Sequence, residues 1–447
     1  MAQSLQRYPQ YFTDYEQTSK TRTSLPWLDQ IREDAWARFC DLGFPIARRG
    51  NEKWKYTDFR PIANRKFTYA VLSDQPDNIS WDKIKKLVPN DDDWANLVFV
   101  DGKYRSEMSN CASPSVEVCS LSQAFEQHQD IVQKHIAQQA TVSDDALAAL
   151  NTAFLEDGAF VKCSSTTGEQ AVVNLIFVTS GSLPDCVTHP RVLVLAESNS
   201  RSTVIENYIS LTNSACFTNA VTELYVEENA NIQHYRITLE NDAAFHMGVS
   251  RVLQRANSVF SSSSFALGAS ICRNDFQVLL DGEGAECNLN GLYLTMGSEH
   301  MDNFISIDHA KPNGTSRLFY KGILDDTSKA VFGGNVTVRQ EAQKTDAQQT
   351  DKNLLLSDQA EIDSKPSLFI YADDVLCGHG ATAGPIDEDT MFYMKSRGLD
   401  SETASRILIH AFAGEIIDKV DLVPLKTFLD QLYDKAIPSA TLQFGGH

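Results

Sequence analysis

The chain has 447 residues, 39 of them basic and 59 acidic, which gives a formal net charge of −20. Such a surface repels polyanions and excludes nucleic acid and anionic membranes as partners. At 42% hydrophobic residues, with no apolar run long enough to cross a bilayer, the composition predicts a globular chain of two or three structural regions.

The opening Met1 to Pro9 holds no apolar stretch and no small-residue cleavage site, so no secretory signal is expected and the cytoplasm is the expected compartment. A helix is predicted from Pro26, where proline suits a first turn, with Trp27, Ile31, Ala35, Phe39 and Leu42 at three- or four-residue steps. Gly43 and Pro45 end it. The polar and aromatic segment Asn51 to Pro61 follows, a loop anchored by Trp54. Residues 75–95 are polar and loop-rich, and residues 120–156 return to helical composition.

From about residue 160 short β-branched runs alternate with Gly, Asn, Asp and Ser, as in Ala171 to Val178 and Arg191 to Leu195. A small residue followed by an apolar one recurs near Ser202, Ala230, Ala256, Ala285, Ala330 and Ala360. Successive steps are 28, 26, 29, 45 and 30 residues, the long one reading as a rung plus an insertion around Lys311 to Gly314. Repeats of that length built of strands and turns predict a stacked β-helix whose related alanines occupy strand or turn junctions. After it, Glu388 to Arg397 is a helix capped by Gly398. Ser401 caps a second helix striped by Ile407, Leu408, Phe412 and Ile416, which Pro424 breaks before a third. Such helices cap a solenoid's open end or dock a partner. The predicted organisation is a helical and mixed region over 1–159, a β-helix over 160–386 and a helical region over 387–447.

Nine cysteines, an odd number with no CxxC, exclude a disulfide framework and a self-contained zinc or ferredoxin-type site. No P-loop, HExxH or GxSxG is present, and Cys287 stands where a dinucleotide fingerprint needs its third glycine, so Gly282 and Gly284 read as a rung corner. Reactive groups are densest from Asp373 to Thr382. On an extended strand Cys377 and His379 face one side, where a thiolate and an imidazole can hold a soft metal together with outside ligands. The competing reading is a tight turn with a buried Cys and a hydrogen-bonded His. Cys186 with His189, His300 with His309, and the acidic pairs Glu227–Glu228 and Asp325–Asp326 read as loop, strand or solvated-turn residues. Gly378-His379-Gly380 after Asp373-Asp374 also suggests a polysaccharide-degrading β-helix glycosidase. Its catalytic groups should then lie one rung apart, whereas Asp374 and His379 are five residues apart.

Several segments together carry a family resemblance. They are Glu52-Lys53-Trp54-Lys55-Tyr56-Thr57-Asp58-Phe59-Arg60-Pro61, Asn290-Gly291-Leu292-Tyr293 with His300-Met301-Asp302-Asn303, and Lys321-Gly322-Ile323-Leu324 with Phe332-Gly333-Gly334. Most specific is Cys377-Gly378-His379-Gly380-Ala381-Thr382, followed by Phe392-Tyr393-Met394-Lys395-Ser396-Arg397-Gly398-Leu399. Along nearly its whole length the chain resembles the SufB/SufD family, and its SufD branch in particular. The SufB branch is expected to carry Cys in a Gln-Cys-Asp-like segment and a His-Glu-Ala-Thr. Here Gln349-Thr350-Asp351 lacks the Cys and His379-Gly380-Ala381-Thr382 lacks the Glu.

The resemblance implies a mainly β fold, a right-handed parallel β-helix flanked by helical ends, acting as a non-enzymatic scaffold in iron–sulfur cluster assembly. It implies a heterodimer with SufB, or a homodimer when alone, and a SufC ATPase docked on the C-terminal helices. Phe392, Tyr393, Arg397, Ala404, Ile407 and Leu408 are the candidate SufC contacts. The cluster is expected to be transient and shared with SufB, with no stable cofactor on the isolated chain. His379, ahead of Cys377, is the expected donor to it.

Overall fold

The computed structural model describes residues 8–47, 51–73, 79–111, 115–143, 145–165 and 170–437. Between Arg201 and Gly384 the chain is a succession of strands of about ten residues joined by short turns. Each strand pairs in parallel with the strand two places along, so alternate strands build two separate sheets. The result is a parallel β-solenoid with two strands to a turn.

Register fixes the stacking. Arg201, Asn231, Val259, Glu286, Thr315, Asp346 and Leu376 lie in one column of one sheet. Phe217, Phe245, Ile271, His300, Lys329 and Glu361 lie in one column of the other. Inward side chains such as Val204, Ile232, Phe260, Phe276, Ile305 and Phe332 fill the space between the sheets. This is the expected β-helix.

The alanine ladder is only partly what holds it in step. Ala230 and Ala285 share one corner, immediately before the strands Asn231–Glu240 and Glu286–Thr295. Ala360 occupies the opposite corner, before Glu361–Ile370. Ala256 sits mid-turn, and Ala330 lies inside a strand, in register with Met301 and Ile362. The long step from Ala285 to Ala330 is therefore a turn and a half that crosses from one sheet to the other, not a turn with an insertion. The stricter signal is one residue before the first corner. Asn199, Asn229, Asn257, Gly284, Asn313 and Lys344 all have positive φ there, a conformation Asn and Gly adopt at least cost.

Strand pairing begins upstream of residue 160. Ala95–Val100 pairs in parallel with Ala171–Thr179, and Val116–Ser120 runs antiparallel to Ala159–Cys163. The helices Leu121–Gln127, Gln129–His135 and Ala146–Ala153 are inserted between these strands. The predicted helix runs Pro26–Leu42 and ends where Gly43 takes φ 61°. An earlier helix, Pro9–Thr21, was not legible. Tyr11, Phe12, Trp36 and Phe39 from the two helices pack with Phe217, Phe245 and Met247 of one sheet's outer face.

The C-terminal helices are Glu388–Ser396, Ser401–Ile417 and Val423–Ala436. Asp400, not Ser401, caps the second, its carboxylate accepting from Thr403 N–H at 2.9 Å. Pro424 lies in the first turn of the third, which it initiates. These helices do not close the solenoid's end. Ile409, Ile416, Leu425 and Tyr433 pack instead on Tyr235, Phe265 and Leu292 of the other sheet's outer face. Lys321, fully buried, ties them down by donating to the Phe412 carbonyl at 2.7 Å and pairing with Glu415 at 2.8 Å.

Candidate functional site at the open end

Because the helices fold back along a flank, the last strand of each sheet has no successor among the described residues. Glu361–Ile370 and Leu376–Gly384 are the edges of their sheets, and both are largely exposed. Tyr371 is 65% exposed and Leu376 71%. Unpaired backbone groups beside exposed apolar side chains make a template for strand addition.

Cys377 to Thr382 is strand, not turn, and neither Gly378 nor Gly380 has positive φ. Cys377 and His379 therefore share a face, and it is the inner one. Cys377 continues the column of Ala347 and His379 that of Gln349. His379 is exposed at the mouth, while Cys377 is half-buried against the core. Burial pushes the Cys377 thiol up, and the nearby Asp346 adds to this. A thiol held protonated is a poor ligand at neutral pH. Among the described residues no three His, Cys, Asp or Glu side chains converge tightly enough to hold a metal ion. His379 and Cys377 thus form no complete metal site with the other described residues.

The other histidines and cysteines the sequence offered are built into the frame. His189 is buried on Phe154, hydrogen-bonded to Asn219 at 3.2 Å, and burial pulls it down to about 3. His309 contacts Ser316 at 2.9 Å. His300 meets Thr57 at 3.0 Å, and burial with the nearby Arg273 holds it near 4. The thiols of Cys186, Cys272 and Cys287 are buried, and burial raises all three. Asp373 and Asp374 lie on an exposed turn, where Asp374 O accepts from Lys344 N–H at 2.6 Å.

The Trp54 segment is a strap across one sheet. Trp54 is buried with the Arg273 guanidinium 4.2 Å from its ring centroid, and Arg273 pairs with Asp302. Lys53 bridges Asp275 at 2.6 Å and Asp145 at 3.1 Å, and Arg251 bridges the same two carboxylates. Thr57 donates to Asp302. Three cations face three carboxylates here, so the charges cancel within the contact. The strap ends near the open edge, where Glu52 pairs with Lys365 at 2.5 Å.

On the C-terminal helices Phe392 is 74% exposed, Tyr393 57% and Ile407 45%. Arg397 lies 5.1 Å from the Tyr393 ring centroid. Ala404 is fully buried beneath them, and Leu408 is half-buried in the same packing. The exposed set is therefore Phe392, Tyr393, Arg397 and Ile407. Beside it Thr403, Arg406, Ile407, His410 and Asp434 line a cleft of about 470 Å³.

In sequence the chain is similar to known iron–sulfur cluster assembly proteins. The SufBD core domain of SUF-system FeS cluster assembly matches residues 177–412, and the SufBD protein N-terminal region matches residues 2–173. The chain belongs to the SufBD family of iron–sulfur cluster assembly proteins. It is of the SufD type. It is 32% identical to the iron–sulfur cluster assembly protein SufD of Escherichia coli over 83% of this chain and 85% of that one. A SufBD family protein of Synechocystis is 31% identical over 86% of each chain. The SufD of Bacillus subtilis is 25% identical over 92% of this chain and 94% of its own.

Proposed function

We propose that this SufBD chain is a non-catalytic scaffold that pairs end to end with SufB and presents His379 to a transient cluster at the junction. One observation carries the reading. Among the described residues the solenoid stops at two uncovered edge strands, and the inward column of one of them ends on an exposed histidine. A partner strand added at that edge continues the sheet and brings its own inward side chains next to His379. The thiolates that complete an iron–sulfur site then come from SufB, since Cys377 is half-buried with a raised thiol. SufC docks on the exposed face of Phe392, Tyr393, Arg397 and Ile407. Its ATPase supplies the nucleotide chemistry for which this chain has no P-loop. The complex works in the cytoplasm, and the described residues contain no helix long and apolar enough to cross a membrane.

His379→Ala tests it. The variant should assemble with SufB and SufC and melt close to the parent, because an exposed ring contributes little to packing, yet form clusters far more slowly in reconstitution. Cluster formation at the parent rate, or loss of the heterodimer itself, would remove His379 from the function.

A further inference from the structure

One turn inside the mouth lies a carboxyl group with no salt-bridge partner among the described residues. Asp351 is fully buried on the inner face, in register with Tyr320 behind it and Ala381 ahead. Its Oδ2 accepts from Asn353 Nδ2 at 2.8 Å and from the Ser364 hydroxyl at 2.6 Å, and its Oδ1 has no partner. Asn353 is held in turn by Tyr293, whose hydroxyl donates to Asn353 Oδ1 at 2.6 Å across Gly322, where a Cβ would lie 2.4 Å from Asn353 Oδ1. The groups facing the carboxyl are thus Tyr320 and Tyr293 from the preceding turns, Asn353 from its own strand, Ser364 from the opposite sheet and Ala381 from the last strand. None is basic, and no described cation pairs with it.

Two features separate Asp351 from the buried carboxylates Glu206 and Glu223. Glu206 and Glu223 are locked in ion pairs with Arg236 and Arg191. Asp351, by contrast, is linked to solvent through Ser364, which sits on the last strand of its sheet and is exposed at the open end. Toward the mouth in its own column, nothing larger than the Ala381 methyl covers it. Burial raises its pKa to about 6, with Ser364 and Asn353 opposing. Both protonation states are therefore populated near neutrality.

We propose that Asp351 and Ser364 form a proton relay serving the open end, an assignment that rests on the reading of that end as the cluster-assembly site. When a thiol or hydrosulfide ligates iron, the S–H bond breaks, an Fe–S bond forms and one proton must leave. Asp351 takes it up, its carboxylate becoming the carboxylic acid, and later returns it to solvent. Ser364 carries each transfer by accepting a proton on Oγ while giving up its own. No electrons move in this step. Asp351 acts on the site from one turn away and touches neither metal nor sulfur.

The test has two arms. On the isolated full-length chain, thermal melts across pH 4.5–7.5 should show the parent losing stability relative to Asp351→Asn as pH rises through 6. A carboxyl raised in the folded state favours folding below its unfolded pKa, and that contribution disappears on ionisation. Ser364→Ala should keep that slope. In the complex with SufB and SufC, cluster formation by the parent should rise with pH with a midpoint near 6. Asp351→Asn should abolish that limb and slow formation ~10²-fold, in the range for a lost positioned acid–base group. Ser364→Ala should slow formation while leaving the limb. Parallel melting slopes for parent and Asp351→Asn would overturn the buried acid. Unchanged rates and limbs in both variants, with dependence on His379 intact, would overturn the relay alone. Loss of the His379 dependence would overturn the reading beneath it.

Discussion

Glu206 lies between the sheets with no access to solvent, bonded to Tyr208 Oη at 2.6 Å, Thr222 Oγ1 at 3.0 Å, His234 Nε2 at 3.0 Å and Arg236 Nη2 at 3.0 Å. Burial alone would raise its pKa, but Arg236 and His234 overcome this and hold the carboxyl well below the usual range. A carboxyl depressed in the folded state stabilises folding above its unfolded pKa of about 4.3, and that contribution is lost as pH falls. Glu206→Gln should therefore cost about 3–5 kcal/mol in urea unfolding at pH 7, because Arg236 is left buried without its counter-charge. The penalty should shrink below pH 4. A pH-independent penalty would assign Glu206 to packing alone. At this scale the sequence showed which residues were distinctive and not what they touch. Trp54 was readable as an anchor, but its partner Arg273 lies far along the chain, and nothing local announces that contact. His379 and Cys377 were readable as one face of a strand from their two-residue spacing. In the sequence Asp351 stands out only as the end of a segment lacking Cys, because its burial depends on register with Tyr320 and Ala381.

The C-terminal helices show the same division between what is local and what is not. Their apolar stripes and the Gly398 stop are sequence properties, and they appear in the structure within a residue or two. Their docking is not. It depends on Lys321, a strand residue whose ammonium sits 3.9 Å from the Phe412 ring centroid with no solvent contact, and lysine is among the residues least expected inside. That docking decides how the proposed SufC surface should be tested. Deleting residues 388–447 would uncover Tyr235, Phe265 and Leu292 along the solenoid, so lost binding would not separate a lost contact from a damaged frame. Phe392→Ser with Tyr393→Ser leaves the buried side of the helices alone. Since both side chains are mostly exposed, the unfolding free energy should move by no more than about 0.5 kcal/mol. Calorimetric affinity for SufC should fall by about 2 kcal/mol or more, the scale of aromatic anchors at an interface. Unchanged affinity would place the ATPase elsewhere.

At the scale of the whole molecule the period was legible because a solenoid repeats its demands. Every turn needs a left-handed residue at one corner, and Asn199, Asn229, Asn257 and Asn313 supply it. The alternation between two sheets is not legible, since equivalent positions in the two sheets carry similar residues, and Ala330 belongs to a strand of the sheet opposite Ala230 and Ala285. A solenoid is also a one-dimensional stack whose terminal turn must be capped, covered or paired. Here the N-terminal helices cover one sheet and the C-terminal helices the other, and no described residue covers the final turn. Leu376 N–H bonds back to Thr345 O at 2.9 Å. By alternation along the strand, residues 377, 379, 381 and 383 then present their N–H groups to the open edge. Ala381→Pro removes one outward donor without breaking a bond inside the sheet. The isolated variant should fold and melt close to the parent, because that edge supports nothing beyond it. Pairing with SufB should weaken by ~10²-fold, equivalent to about 2.7 kcal/mol. Any self-association of the isolated chain should fall with it in sedimentation analysis, since both would use the same edge. If the variant binds SufB as tightly as the parent, the partner does not continue the sheet, and His379 would have to meet its cluster across side chains rather than across a shared strand.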